Sequence, residues 1–295
     1  MPLSDNMRGA LLMVGAMTAY TVNDAFMKAV ADELPVMQAT FWRGLIVLPL
    51  MVVLCMAMGQ FRVDFPRRDW GLLIVRAVGE MLGAVFFLTA LFNMPFANVS
   101  AILQALPLTV SLGAAVFFSE PLGWRRLTAI LVGFAGVLLI VQPGGADFSV
   151  YSLYAVGCVC AATMRDLAAR RMSSQVPSSF AGLVAATGVL IMSGVGTFFE
   201  QGAPLTSSAL TMLTCASLFI IAAYVFSAAA MRVGEVSFVA PFRYTSLLVA
   251  ILLGATVFGE VPSALTLFGA SIVVTMGFFT LYREKIASRR QPSNR

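Results

Sequence analysis

Histidine is absent from this 295-residue chain. Its absence removes the usual side chain for general acid–base catalysis, for zinc ligation and for proton relays. Cysteine is scarce, since Cys55, Cys158, Cys160 and Cys215 are the whole set, and each lies in an apolar stretch. Cys158 and Cys160 are two positions apart on a predicted helix and therefore point to different faces. We expect four free thiols that pack as small apolar groups, with no metal site and no cofactor.

Charged residues are also few. They make up 11% of the chain, against about 25% in a typical soluble domain. Hydrophobic residues make up 59%, and the mean hydropathy is +0.90. A chain this apolar suits a lipid bilayer, where the outward-facing positions must be apolar. The net charge of +5 would indicate a nucleic-acid partner in a soluble protein. Here we expect no nucleic acid, and Lys and Arg gathered in cytoplasmic loops.

Ten apolar segments of about 20 residues are long enough to cross the hydrocarbon core as helices. They span residues 8–30, 35–58, 69–92, 96–118, 124–141, 149–171, 177–199, 209–231, 236–258 and 263–282. Most breaks contain proline or glycine, and the break at Gly234-Glu235 is the shortest. Arg8 followed by an apolar run resembles the start of a signal peptide, but this run is too long for one and contains Asp24. The sequence predicts an all-α membrane protein of ten transmembrane helices.

The positive charges predict the orientation of the chain in the membrane. With a cytoplasmic N-terminus, the inner loops and tails hold fourteen Lys and Arg residues, whereas the outer loops hold only Lys28. The fourteen are Arg8, Arg62, Arg67, Arg68, Arg125, Arg126, Arg170, Arg171, Arg232, Arg283, Lys285, Arg289, Arg290 and Arg295. The positive-inside rule therefore places both termini in the cytoplasm. The basic tail after Tyr282 is predicted to be disordered.

The two halves of the chain resemble each other. A shift of 142 residues places Asp24 on Asp166 and Lys28 on Arg170. A shift of 140 places the motif at 118–121, Phe-Ser-Glu-Pro, on the motif at 258–262, Phe-Gly-Glu-Val-Pro. We predict a first five-helix repeat over 1–143, a second over 148–283 and a basic cytoplasmic tail over 284–295. Because five is odd, the second repeat is inverted in the membrane, which is typical of secondary transporters with a midplane substrate site.

This arrangement resembles the drug/metabolite transporter superfamily, and each half is similar to an EamA-type domain. The resemblance rests on the two Glu and Pro motifs and on glycines of the opening and closing helices. These glycines are Gly15, Gly133, Gly136, Gly157, Gly269 and Gly277. The resemblance implies a metabolite carrier of a bacterial inner membrane. Bacterial aromatic and neutral amino-acid exporters are the nearest match, within a superfamily that also includes drug exporters and carriers of S-adenosylmethionine and nucleotide sugars.

Ionisable residues inside the predicted segments are candidates for a substrate site, because they are costly at that depth unless they face the bundle interior or water. Glu80 lies near the middle of the third segment, and Arg76 precedes it by one helical turn. One interpretation is a substrate-contacting ion pair, in which Glu80 takes an amino group or a proton. The other is a structural pair within one helix, with Arg76 extended toward the inner surface.

A polar stripe runs along the fourth segment. Ser100, Gln104, Pro107 and Ser111 follow one another at steps of four, three and four and therefore share one face. Pro107 removes the helical partner of the Leu103 carbonyl and predicts a kink. We interpret the stripe as cavity lining, and hydrogen bonding between helices is the alternative.

The first segment also has a polar face. Its members are Tyr20, Asn23 and Asp24. Arg43 of the second segment lies at a depth similar to that of Asp24, and an Asp24–Arg43 bridge would gate or simply brace the outer side. Asp166 is the inverted counterpart of Asp24 near the inner side. Its neighbour Arg165 has no equivalent in the first half, so we expect the pair to be chemically distinct.

Three arginines, Arg76, Arg165 and Arg243, lie in the inner half of the predicted topology. We hypothesise an inward-facing vestibule that attracts carboxylates, because the planar guanidinium binds both carboxylate oxygens. Extension of these side chains to the membrane surface is the alternative. Pro241, beside Arg243, predicts a second kink. Aromatic side chains that would line the same cavity, if they do not simply pack, are Tyr20, Trp42, Phe86, Phe87, Tyr224 and Tyr244.

The residues favour a secondary transporter or facilitator, acting as a monomer, that exports small metabolites by alternating access. Substrates with an amine and a carboxylate, aromatic or neutral amino acids above all, fit the internal charges. S-adenosylmethionine, a nucleoside or purine, or a cationic drug are alternative substrates. ATP would not power transport directly, since no phosphate-binding loop motif is present, and proton coupling would use Glu80 or Asp24. A polytopic membrane enzyme is a remote alternative, and an inverted repeat argues against a receptor or scaffold.

Overall fold

The computed structural model describes residues 4–61, 64–120, 122–145, 148–173 and 175–290, and within these ranges the regular structure is helical. The α-helices are α1 (Asp5–Ala29), α2 (Val36–Ala57), α3 (Arg67–Asn93), α4 (Phe96–Leu103), α5 (Leu106–Phe118), α6 (Trp124–Val141), α7 (Tyr151–Arg171), α8 (Ser178–Gly196), α9 (Ser207–Val233), α10 (Val236–Val239), α11 (Thr245–Val257) and α12 (Ala264–Arg290). Two 3₁₀ segments, Thr197–Phe199 and Ala240–Tyr244, follow α8 and α10. Arg62, Pro121 and Arg295 lie outside the described residues.

All ten predicted segments are present as helical stretches in the predicted order. The fourth is divided into α4 and α5, and the ninth into α10, a 3₁₀ segment and α11. Nine of the ten stretches are long and apolar enough to cross a membrane. The remaining one is α7, whose second half carries Arg165, Asp166, Arg170 and Arg171. The chain is a multi-pass, all-helical membrane protein.

The expected disorder after Tyr282 is wrong over most of its length, because α12 continues to Arg290. Residues 283–290 contain neither glycine nor proline, and Arg, Glu, Lys and Ala are good helix formers. A helix that has already formed across the membrane extends into such a sequence without a new nucleation step. The basic charges of the tail are therefore carried on a helix.

The chain divides into two compact units, and each draws helices from both halves of the sequence. The first unit comprises Met1–Thr21, Met94–Leu153 and Ala222–Arg295. Its closest helix crossing is between α6 and α12, where a Cβ on Gly136 would lie 2.9 Å from the carbonyl oxygen of Gly269. Glycine at both positions lets the two backbones touch.

The second unit comprises Val22–Asn93 and Tyr154–Ile221. In it α8 packs along α2 and α3. Glycines of α8 accept large side chains of both neighbours: a Cβ on Gly194 would lie 3.1 Å from the Phe41 ring, and a Cβ on Gly188 would lie 2.9 Å from the Met81 sulfur. The polar side chains of the unit are therefore held on closely packed helices.

The four cysteines are free, as expected. Cys55 and Cys158 are buried, Cys215 is half-buried and Cys160 is exposed. Packing as an interior apolar group therefore holds for Cys55 and Cys158 and fails for Cys160. Cys158 and Cys160 do face different ways, as their spacing on α7 requires.

Residues 118–120 and 258–260, the described part shared by the two copies of the repeated motif, form similar local structures. Ser119 and Gly259 both adopt the left-handed conformation, with φ of 54° and 66°. The next residue in each copy returns its N–H to the carbonyl six residues earlier, at 3.4 Å for Glu120 to Ala114 and 2.8 Å for Glu260 to Gly254. These two bonds each engage a carbonyl near a helix C-terminus.

Glu260 also closes the start of a different helix. Its carboxylate accepts a hydrogen bond from the backbone N–H of Phe96, the first residue of α4, at 2.6 Å. The preceding residue, Pro95, provides no side-chain cap, so the amide depends on Glu260. The equivalent residue of the first motif, Glu120, is exposed.

The two glutamates make a matched pair for a stability experiment. We expect Glu260→Ala to lower the free energy of unfolding by about 1–2 kcal/mol, because a charged cap at an otherwise uncapped helix start is lost. Glu120→Ala should change it by less than about 0.5 kcal/mol. Thermal unfolding of the two variants in one detergent measures the difference. Equal destabilisation by both would contradict the role assigned to the Glu260 carboxylate.

Polar contacts between helix ends recur in the second unit. The carboxylate of Glu200, after α8, accepts N–H bonds from Met37 and Gln38 at the start of α2, with shortest distances of 3.0 and 3.1 Å. In the opposite direction Gln60, after α2, accepts from the Ser179 hydroxyl at the start of α8. α2 and α8 therefore run antiparallel. A residue after the end of each helix accepts hydrogen bonds from the start of the other.

A second such exchange joins the remaining helices of this unit. Asp69, in the first turn of α3, is buried and accepts from the backbone N–H and the hydroxyl of Ser173, after α7, at 3.2 and 2.6 Å. The Thr206 hydroxyl, just before α9, donates to Glu33, after α1. We refer to these contacts, together with those of Glu200, Gln60 and Glu260, as the crossed end contacts.

Candidate functional site

The second unit holds a cluster of charged side chains on its helices α3 and α7. Arg165 of α7 donates through Nε to Asp166 Oδ1 at 2.8 Å and through Nη1 to Glu80 Oε2 of α3 at 3.5 Å. The Arg165 and Glu80 side chains are each 26% exposed. One guanidinium thus lies between two carboxylates, and this pairing offsets part of the cost of placing charge away from water.

The close approach of α3 and α7 depends on a glycine. A Cβ on Gly79 would lie 2.9 Å from the carbonyl oxygen of Ala161 and 3.0 Å from the backbone nitrogen of Arg165. Any side chain at position 79 would therefore separate the two backbones. Gly79 precedes Glu80, so the same glycine brings Glu80 within reach of Arg165.

A neutral amide joins the second pair of charges. Asn23 of α1 is buried; its Nδ2 donates to Asp24 Oδ1 at 2.8 Å, and its Oδ1 accepts from Nη1 of Arg43 in α2 at 3.4 Å. Arg43 is also near enough to Asp24 for Coulomb attraction. The sequence paired Asp24 with Arg43 and placed Asn23 on the same face; the structure adds that the amide connects them.

Cys158 lies near members of both charged groups, the one around Arg165 and the one that contains Asp24. Its thiol is buried in α7 and lies within electrostatic range of Arg165, Glu80 and Asp24. A thiol there presents a small, weakly polar surface within electrostatic range of these three charged side chains.

The expected ion pair between Arg76 and Glu80 is absent from the ion pairs of the described residues. Arg76 Nη1 instead donates to the carbonyl oxygen of Ala181 in α8 at 2.8 Å, and Glu80 is paired with Arg165. The spacing of four residues made a pair within α3 possible. The glycine at position 79 makes a cation of the neighbouring helix available, and sequence spacing within one helix does not reveal that competitor.

The first unit contains a polar helix break. α4 ends at Leu103, and α5 begins at Leu106 with Pro107 in its first turn. Gln104, at the break, donates through Nε2 to the carbonyl oxygen of Ser100 at 3.3 Å and to Oγ of Ser246 in α11 at 3.0 Å. The helix is thus interrupted where the proline predicted a kink, and a side chain bonds across to a second helix.

A second break lies in the segment that contains Ser246. Pro241 falls in the 3₁₀ segment Ala240–Tyr244, between α10 and α11. Arg243 is exposed within the first unit, and Tyr244 is buried against the face of Phe278, with ring centroids 5.0 Å apart. The Tyr244 hydroxyl occupies the place that a side chain at Gly277 would take. Tyr244 therefore packs between helices in this structure.

The remaining candidates of the first unit are engaged with neighbouring side chains. The Ser111 hydroxyl is buried and accepts from Nη2 of Arg126 in α6 at 3.3 Å. Tyr20 and Tyr224 meet edge to face, with ring centroids 5.9 Å apart. These contacts join helices, as the alternative interpretation of the polar stripe proposed.

The partners that sequence reasoning missed include Ser246 and a backbone carbonyl, that of Ala181. Ser246, which binds Gln104, lies 142 residues after it, so the shift that relates the two halves could have found this pair. The Ala181 carbonyl, which binds Arg76, has no signal in the sequence because every residue carries that group. Backbone partners become visible only when the helices are placed.

The fold and these polar clusters define a class: a multi-pass membrane protein with ion-paired charges between its spanning helices. Residues 7–142 of the chain match the sequence profile of the EamA-like transporter family. The resemblance seen in the sequence is thereby confirmed.

Known proteins with similar sequences carry transporter names. The pseudopaline exporter CntI of Pseudomonas aeruginosa is 27% identical over 274 residues, covering 90% of this chain and 93% of that protein. A riboflavin transporter of Vibrio cholerae is 27% identical and covers 78% of each chain. An S-adenosylmethionine uptake transporter of Rickettsia conorii is 23% identical and covers 74% of each. These relatives support a transporter role for this chain, and they include both an exporter and an uptake protein.

A solved crystal structure shares the fold. It aligns with a TM-score of 0.63 and 21% sequence identity, covering 93% of this chain and 98% of that one. The likeness therefore extends across both halves of the chain, beyond the part that the family profile matches.

Proposed function

We propose that this protein is a secondary transporter that exports small zwitterionic metabolites, in particular aromatic or neutral amino acids, by alternating access. The observation that carries the proposal is the cluster in the second unit, where one arginine is held between two carboxylates inside the membrane-spanning helices. An inner site that offers both signs of charge suits a substrate that carries both.

Charge balance supports a zwitterion over an ion. Away from their first and last turns, the helices of the second unit carry three arginines and three carboxylates: Arg43, Arg76, Arg165, Asp24, Glu80 and Asp166. A substrate carboxylate would take the planar fork of Arg165, and its ammonium would take Glu80 or Asp166. Because a zwitterion carries no net charge, it enters without changing the net charge of this cluster.

The inverted repeat remains our proposal, with boundaries at 1–143 and 148–283 and both termini cytoplasmic. The crossed end contacts support it, because equivalent segments of the two halves run antiparallel and exchange the same kind of contact. The matching left-handed residues, Ser119 and Gly259, support the register of 140. Two inverted halves provide two nearly equivalent packings, as alternating access requires.

An S-adenosylmethionine carrier is the second candidate. That substrate also has an amine and a carboxylate, and one relative is named for its uptake. Its additional positive charge would need one more carboxylate, beyond those already paired with arginines. A substrate panel that contains both classes separates the two candidates.

Counterflow into proteoliposomes that contain only this protein tests the function. We expect uptake of labelled phenylalanine or leucine when the vesicles are preloaded with the same compound, and none in protein-free vesicles. The panel also contains S-adenosylmethionine, a nucleoside and a cationic drug. Flux of the nucleoside or the drug alone would overturn the zwitterion proposal. Vesicles made from cell membranes test the direction of transport and the location of the tail. If the protein exports its substrate, only inside-out vesicles should accumulate it. If the tail is cytoplasmic, added protease should cleave it only in inside-out vesicles.

A further inference from the structure

An aromatic pair adjoins the charged cluster of the second unit. The rings of Phe86 in α3 and Tyr154 in α7 meet edge to face, with centroids 6.1 Å apart and an angle of 73° between their planes. Gly157 admits the Phe86 ring to the surface of α7, since a Cβ at that position would lie 3.1–3.4 Å from three ring atoms. The glycine thus fixes where the ring lies.

On α7 the aromatic ring and the charge lie on one helix face, whereas on α3 Phe86 is turned by about 120° from Glu80. Tyr154, Cys158, Ala161 and Arg165 recur at steps of four, three and four on α7 and therefore form one stripe. On α3, Phe86 follows Glu80 by six residues, a rise of about 9 Å along the helix axis. The buried Cys158, within electrostatic range of Glu80 and Arg165, lies between the rings and the charges.

We propose that Phe86 and Tyr154 form the apolar end of the substrate site and select zwitterions that carry a planar ring over those with aliphatic side chains. The proposal rests on the transport of zwitterions proposed above. A substrate whose ammonium and carboxylate bind Glu80 and Arg165 extends its side chain along the stripe toward these rings. A substrate ring that reaches this pair would make the stacked or edge-on contacts that aromatic rings prefer.

Two substitutions perturb the pair in different ways. Phe86→Leu keeps an apolar group of similar size but removes the ring. Gly157→Ala keeps both rings and pushes Phe86 outward by a few tenths of an ångström. Phe198→Leu is the matched control, because Phe198 lies in the same unit and is 87% exposed. Thermal unfolding of each purified variant identifies those that fold.

Competition counterflow with phenylalanine, tryptophan, leucine and alanine measures selectivity for a ring. We expect the preference for phenylalanine over leucine to fall about twofold to tenfold in Phe86→Leu, and in the same direction in Gly157→Ala. Alanine transport should stay near that of the wild type, and Phe198→Leu should leave the preference unchanged.

The outcomes separate the two proposals. If the wild type carries zwitterions and both variants reduce all four substrates equally, the rings serve packing alone and the selectivity proposal is overturned. If the wild type carries none of the four, the zwitterion proposal fails and the selectivity proposal fails with it. Should Phe86→Leu not fold, Gly157→Ala and Tyr154→Leu decide the matter by the same ratio.

Discussion

Arg165→Gln is expected to reduce zwitterion transport by about tenfold to a hundredfold, because the guanidinium that would bind the substrate carboxylate is removed. Glu80 and Asp166 also lose their shared cation. Removing one member of a fully buried ion pair costs about 3–5 kcal/mol. Here the Arg165 and Glu80 side chains are 26% exposed, so we expect a loss of about 1–3 kcal/mol in unfolding free energy. Initial counterflow rates and thermal unfolding measure the two effects.

A second substitution separates binding from stability. The double variant Arg165→Gln with Glu80→Gln should regain part of the lost stability, since one unpaired carboxylate is neutralised, and it should stay inactive. Arg67→Gln is the control, because Arg67 is exposed at the start of α3 in the same unit. Wild-type transport by the single variant would rule Arg165 out as the substrate-binding cation.

Gly79→Ala is expected to disrupt the same site without changing any charge. A new Cβ would lie 2.9 Å from the carbonyl oxygen of Ala161 and 3.0 Å from the nitrogen of Arg165, and these are backbone atoms that cannot rotate away. Overpacking of this kind costs about 1–3 kcal/mol. The separation of α3 from α7 lengthens the 3.5 Å contact between Arg165 and Glu80, so transport should fall by at least about tenfold.

Gly71→Ala provides the matched control for that variant. Gly71 lies on the same helix, and a Cβ there would have no neighbour within 4 Å. Helix propensity alone then favours alanine, by up to about 1 kcal/mol. One substitution in α3 should therefore stabilise the protein and leave transport intact, whereas the same substitution two turns later should do the opposite. Equal effects at both glycines would argue against a close α3–α7 contact.

Much of the fold follows from the sequence because bilayer thickness fixes the length of an apolar segment and prolines mark its ends. Pro35, Pro95 and Pro177 each immediately precede a helix. The kink at Pro107 was predictable for the same local reason, and α4 ends four residues before it. Properties that depend on neighbouring residues of the chain are visible in the sequence.

The partners of charged side chains were less predictable. Glu80 pairs with a residue 85 positions away, and Glu200 binds the amide of Met37, 163 positions away. Glu80 has Arg76 as a plausible local partner, so the choice depends on how closely α3 and α7 approach. Gly79 allows that close approach, but a glycine in the sequence does not reveal which helix will pack against it.

The crossed end contacts have a consequence for biosynthesis. The first amides of α2 and α4 are satisfied by carboxylates that lie 163 and 164 positions further along the chain. A ribosome that has released residues 1–143 into the membrane has made these helix starts but not their acceptors. α2 and α4 therefore complete the hydrogen bonding of their first turns only when the second half of the chain is made, and the first half produced alone would lack both acceptors.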